Sequence, residues 1–173
     1  MKKVLLILVV LSTALIAQTT QKIGYVDSQV ILNQLPSAIK AQGELDALVS
    51  KWNASIDSMV TDLQSQYTNY QQQAESMTPD ARRAKEQELV MKEQSITQFR
   101  ASKFQQPNGE YYRKNDELLQ PIKDQIMKGI EEAAKKEGLT FVFDKAGDVI
   151  LLYADQTYDI TFTVLDMLKR GKK

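Results

Sequence analysis

From Leu45 to Met77 the apolar residues Leu45, Val49, Trp52, Ile56, Met59, Leu63, Tyr67, Tyr70, Ala74 and Met77 recur every three or four positions. On a helix that spacing draws one narrow apolar stripe, the seam of a coiled coil. The residues between its members are mostly Gln, Ser, Asp, Asn and Thr, and a helix this polar is stable only if the stripe meets a partner helix. The partner is expected next in the chain. In Ser76-Met77-Thr78-Pro79-Asp80 Thr78 suits an N-cap, Pro79 the first helical position and Asp80 the first turn, so a second helix runs back from Ala81. One helix from Ser37 to Met77 would be about 60 Å long, wider than a small domain, and the hairpin must project from whatever holds its base.

Composition narrows the chemistry. The 173 residues include no Cys and no His, which removes disulfides, thiolate nucleophiles, and the commonest metal ligand and general base. No phosphate-binding glycine loop is present, so no catalytic residue, metal site or cofactor is expected. Lys2 and Lys3 precede the apolar run Val4 to Leu11 and the exit Ser12-Thr13-Ala14-Leu15-Ile16-Ala17. That is the pattern of a signal peptide of residues 1–17, too short to span a membrane, with cleavage after Ala17 or alternatively Ala14. Export without Lys2 and Lys3 leaves 20 bases against 22 acids. A surface this nearly neutral argues against nucleic acid as a partner.

Both ends of the mature chain read as a small body, residues 22–36 and 138–173, with the arm occupying 37–137 and its tip near 77–80. Lys22-Ile23-Gly24-Tyr25-Val26-Asp27 suggests a short strand, and Ser28 to Leu35 a short helix buried through Val30, Ile31 and Leu35. Pro107-Asn108-Gly109 is expected to kink or break the returning arm, and Pro121 lies within its later part. Gly138 ends the helix. Leu139 to Asp144 and Val149 to Ala154, joined by Lys145-Ala146-Gly147-Asp148, are expected to pair as a hairpin. The second run is apolar on both faces and so is expected to be covered on both, by the chain's own helices or by another subunit. Asp159 suits the N-cap of a last helix from Ile160 to Arg170. The fold class is therefore α+β, a β-rich body with a long protruding helical hairpin.

The order of these segments, from Lys22-Ile23-Gly24-Tyr25-Val26-Asp27 through the polar hairpin to Gly138-Leu139-Thr140-Phe141-Val142-Phe143-Asp144 and Asp159-Ile160-Thr161, resembles the Skp (OmpH) family of periplasmic chaperones. The resemblance implies a homotrimer whose bodies join, with three hairpin tentacles around a cavity that holds unfolded outer-membrane β-barrel proteins without ATP. It implies a periplasmic location as well. This chain differs from the strongly basic members in its neutral charge, and from a continuous arm in Pro107-Asn108-Gly109.

Leu48, Val60, Met91, Phe99 and Phe104 lie beside the seam and are the candidates for an apolar, client-facing lining; packing within the hairpin is the plainer use of such residues. Arg82, Arg83 and Lys85 form a basic cluster near the tip that could meet membrane lipid or lipopolysaccharide, or simply be a solvated helix start. Phe141, Phe143, Val149, Leu151 and Tyr153 are the candidates for the trimer interface. Asp27, Asp144, Asp155 and Asp159 sit at strand ends and helix starts, where turn and cap roles account for them. A structural or adaptor coiled coil of the envelope is the alternative reading.

Overall fold

The computed structural model describes residues 21–171; the expected signal peptide lies outside them. The chain runs β1 (Ile23–Val26), α1 (Ser28–Gln34), α2 (Pro36–Gln73), α3 (Pro79–Phe104), α4 (Glu110–Glu137), β2 (Phe141–Asp144), a 3₁₀ turn at Gln156–Tyr158 and α5 (Thr161–Arg170). It divides into two compact units, one of residues 32–125 and one built from residues up to 31 and from 126 onward.

In the first unit α2 is 38 residues long, about 57 Å at 1.5 Å per residue. Leu45, Trp52 and Ile56 of α2 and Leu89 and Ile96 of α3 are buried, the heptad-like stripe closing on its partner as a seam. Toward the tip the apolar contact thins. Met59, Leu63, Tyr67, Tyr70, Ala74 and Met77 are only half-buried, and polar pairs cross between the helices instead: Lys92 to Asp62 at 2.6 Å, Lys85 to Gln66 at 3.2 Å and Tyr70 to Glu86 at 2.5 Å. The turn is built as its residues suggest. Thr78 Oγ1 accepts from Ala81 N at 3.3 Å, Pro79 opens α3 and Asp80 sits in its first turn. Helix α3 ends at Phe104 and α4 begins at Glu110, so the returning arm is interrupted at Pro107-Asn108-Gly109, where proline lacks the amide a helix needs. Helix α4 continues through Pro121.

In the second unit β1 and β2 pair in parallel, with Ile23 opposite Phe141 and Val26 opposite Asp144. The other edge of β1 carries a parallel bridge from Tyr25 to Asp159. Tyr25, Val26, Ile31, Ile126, Ala133, Ile160, Val164 and Leu165 are buried. Gly24 is required by close packing: a Cβ there would lie 2.5 Å from Leu139 Cδ1 and 3.2 Å from the Tyr158 carbonyl oxygen. The second half of α4 belongs to this unit, and Gly129 lets Leu168 and Val164 of α5 approach closely.

The strand expected at Val149 to Ala154 does not form, and the hairpin with it is absent. The turn folds back on β2 itself, since Gly147 N donates to the Asp144 carbonyl at 3.2 Å and Ala146 N to Asp144 Oδ1 at 3.0 Å. Neither bond bridges to a second strand. The apolar run after the turn pairs with neither strand, although the outer edge of β2 is open, and its side chains stay on the surface: Ile150 is 83% exposed, Leu152 94% and Tyr153 85%. Covering on both faces, expected from the apolar pattern, is not supplied within the described chain. The last helix begins at Thr161, one residue later than expected, and Asp159 Oδ1 accepts from Thr161 N at 2.9 Å.

Candidate functional site

Two surfaces carry the residues singled out from the sequence. On the arm, Val60 and Met91 are exposed while Leu48, Phe99 and Phe104 are half-buried. The two phenylalanines have partners inside the arm. The Phe104 ring meets Trp52 edge-on at 5.8 Å between centroids, and the Lys103 ammonium lies 5.4 Å from the centre of the Trp52 ring and 5.2 Å from that of Phe99. Aromatic rings favour such edge contacts and cations over their faces. Met91 sits instead on open α3 surface with Val90, also exposed, in a shallow depression lined by Arg83, Glu86, Gln87 and Gln94. Val90 was not among the expected residues. Its place next to Leu89 of the seam and Met91 beside it was the available signal.

The three basic residues near the tip do not present one patch of free charge. Arg82 donates to the Ala74 carbonyl at 2.6 Å and so closes the turn, and Lys85 bonds Gln66 and Glu88. Arg83 borders the Val90–Met91 depression.

On the body, Phe141, Phe143, Val149 and Tyr153 are exposed and Leu151 is half-buried. Ile150 and Leu152, which were not among the expected interface residues, are exposed beside them. Leu151, Leu152, Tyr153 and Ala154 line a shallow cleft with Tyr25 and Lys145. The outer edge of β2 pairs with no other described strand. A row of unpaired backbone groups beside an apolar run is a surface suited to strand addition or association.

The acidic residues do local structural work. Asp27 Oδ1 accepts from Val30 N at 2.9 Å, starting α1, and Asp155 Oδ1 accepts from Thr157 N at 2.9 Å. Asp144 ties the end of β2 to the start of α1 by accepting from Ser28 N at 3.1 Å and Ser28 Oγ at 2.5 Å. Burial alone would raise the Asp144 carboxyl, but the bonds from Ser28 and from Ala146 N outweigh it and hold the group below the usual carboxylate range. Asp27 N in turn donates to the buried Thr161 Oγ1 at 2.9 Å, linking α1 and α5 through one hydroxyl. Among the described residues no group of acidic side chains is placed to hold a metal ion, and no helix is long and apolar enough to cross a membrane.

The fold has a solved counterpart. A structure of an OmpH-like outer membrane chaperone from Caulobacter crescentus superposes with a TM-score of 0.73 over 89% of this chain and 87% of that one, at 15% identity, and so shares the fold. In sequence, the chain is 28% identical to the chaperone protein Skp of Photorhabdus laumondii over 153 residues, 88% of each chain. It is 26% identical to the chaperone protein Skp of Pectobacterium atrosepticum over 160 residues, covering 92% of this chain and 93% of the relative. Residues 22–168, the whole span from β1 into α5, match the family model described as outer membrane protein (OmpH-like), and the chain accordingly belongs to the OmpH-like family.

Proposed function

We propose that this protein is an ATP-independent holding chaperone of the periplasm, which binds unfolded outer-membrane β-barrel proteins between helical arms and keeps them from aggregating. The observation that carries this reading is family membership across residues 22–168, together with relatives named as chaperones that match almost end to end. The physical character of the arm supports it. A seam with few fully buried residues bends easily, because few buried contacts resist opening. Exposed Val60, Val90 and Met91 set among polar side chains offer many weak contacts rather than one tight pocket. Release from such contacts needs no nucleotide.

Three copies joined through their bodies are the proposed working form. The exposed run from Val149 to Tyr153, with Phe141 and Phe143 beside the open edge of β2, is the surface assigned to that assembly. Leu48, Val60, Met91, Phe99 and Phe104 remain the proposed client-facing set, with Val90 added. Arg82, Arg83 and Lys85 are the place for any contact with membrane lipid or lipopolysaccharide, Arg83 being the one with no bond to the hairpin turn or to Gln66 or Glu88.

The experiment is suppression of aggregation. An outer-membrane barrel protein is diluted from urea with stoichiometric amounts of the mature chain, with and without ATP, and light scattering is followed. Protection that is unchanged by ATP is expected. A variant in which residues 64–91 are replaced by a short turn keeps the Asp62–Lys92 pair and the body but loses the outer 28 residues of the arm, with Val90 and Met91 among them, and it is expected to protect poorly. Equal protection by the shortened chain would move the holding surface off the outer part of the arm; no protection by the full chain would leave a structural role as the better account.

A further inference from the structure

The break between α3 and α4 is held by an arrangement that a flexible linker would not need. Lys103, in the last turn of α3, pairs with Glu110, in the first turn of α4. Each charge also sits at the helix end whose dipole favours it. Of the ion pairs among the described residues this is the least exposed, with 19% of the Lys103 side chain and 28% of the Glu110 side chain open to solvent. The same ammonium lies over Trp52 of α2 and Phe99 of α3. One cation therefore joins three helices at the interruption.

The backbone between them is closely folded. Gly109 N donates to the Gln105 carbonyl at 2.6 Å, and the Gly109 carbonyl accepts from Tyr112 N and Arg113 N. A Cβ on Gly109 would lie 2.8 Å from Gln105 N, from the Gln105 oxygen and from the Lys103 oxygen. Nothing larger than glycine fits unless the turn opens. The turn is thus a compact joint that a single charge pair fastens.

We infer that this joint is a latched hinge: the Lys103–Glu110 pair, seated against Trp52 and Phe99, keeps the α3–α4 turn closed, and neutralising either charge lets it open. The joint closes through contacts within the arm, whatever the arm holds. Its consequence is sensitivity to acid. Lys103, Arg113, 3.9 Å away, and Lys114 are the charges that face Glu110. The hydrogen bond from Lys103 is the main reason its carboxyl lies below the usual range. A group held low in the closed state keeps its charge until pH falls through that lowered value, and there the latch is released.

The chain has no cysteine, so spin labels at Gln98→Cys on α3 and Asp116→Cys on α4, both exposed positions, in chains refolded with a large excess of unlabelled chain so that any assembly holds one labelled copy, report the joint in the full chain. At neutral pH the parent is expected to give a single narrow interspin distance. Lys103→Met, which keeps the stem and removes the charge, and Glu110→Gln are each expected to at least double its width. They should also speed amide exchange over residues 105–112 about tenfold, which corresponds to 1.4 kcal/mol. Lys103→Arg retains the charge and should restore the narrow distance. The double variant should be no broader than either single one. Acid should broaden the parent but add nothing to Glu110→Gln. Lys40→Met, which removes the exposed Lys40–Glu44 pair, serves as the control. Parent-like distances in folded Lys103→Met and Glu110→Gln would overturn the latch, as would equal broadening in Lys40→Met.

Discussion

Asp62 of α2 and Lys92 of α3 meet at 2.6 Å across the arm, almost equally far in sequence from the turn at residues 74–78. The pair fixes the register of the two helices in the stretch where the apolar seam has thinned. Hydrogen bonds from Lys92 and Gln66 are the leading causes that hold the Asp62 carboxyl below its usual value of 3.8. Its folded value is the lower one, so its contribution is present above the unfolded value and is lost as pH falls through the folded one. Carboxyl NMR titration is expected to find Asp62 low in the parent and moved up toward 3.8 in Lys92→Ala. An unmoved value would show that the pair does not form in solution.

The arm should lose most from truncation of its seam and little from truncation of its surface. Leu45 and Leu89 are almost wholly buried on facing helices, and replacing either with Ala is expected to cost about 2–5 kcal/mol in urea unfolding. Met91→Ala and Val90→Ala remove exposed side chains and should fall within about 0.5 kcal/mol of the parent. They are also expected to change client protection only slightly, because the contacts are many and weak. A large stability loss at Met91 would place it in a buried contact rather than on open surface.

Gly24→Ala tests the packing beneath the sheet. The added methyl meets Leu139 and the Tyr158 carbonyl, and overpacking of this kind is expected to cost about 1–3 kcal/mol. Leu139→Ala in the same chain removes the nearer clash, so the double variant should lose less than the sum of the single ones. Strict additivity by denaturant unfolding would mean that the two residues do not touch.

Assembly through the body predicts that charge on its apolar run is costly. Ile150→Asp and Leu151→Asp place a carboxylate in the proposed interface, where an unpaired charge is strongly disfavoured. Sedimentation is expected to give a trimer for the mature parent and smaller species for both variants. A parent that sediments as a monomer at micromolar concentration would remove the trimer from the proposal.

The features legible in residue order alone are those that neighbours in the chain decide. The seam stripe, the Thr78-Pro79-Asp80 restart, the interruption at Pro107-Asn108-Gly109 and the end of α4 before Gly138 all rest on bonds and contacts three or four residues apart, so their residue types announce them. The strand at β2 was legible for a related reason, its aromatic and branched composition. Its partner was not. Pairing Ile23 with Phe141 joins segments separated by the entire arm, and no local pattern distinguishes that edge from the one offered by the apolar run after the turn. Tertiary structure made the choice: Asp144 is drawn to the start of α1 by Ser28, and Asp159 takes the far edge of β1. The run from Val149 to Tyr153 was left exposed. An apolar sequence states that a segment gains from burial, whereas which surface buries it depends on long-range geometry. The same division holds at Lys103, an ordinary lysine in sequence, which folding brings onto Glu110, Trp52 and Phe99 together.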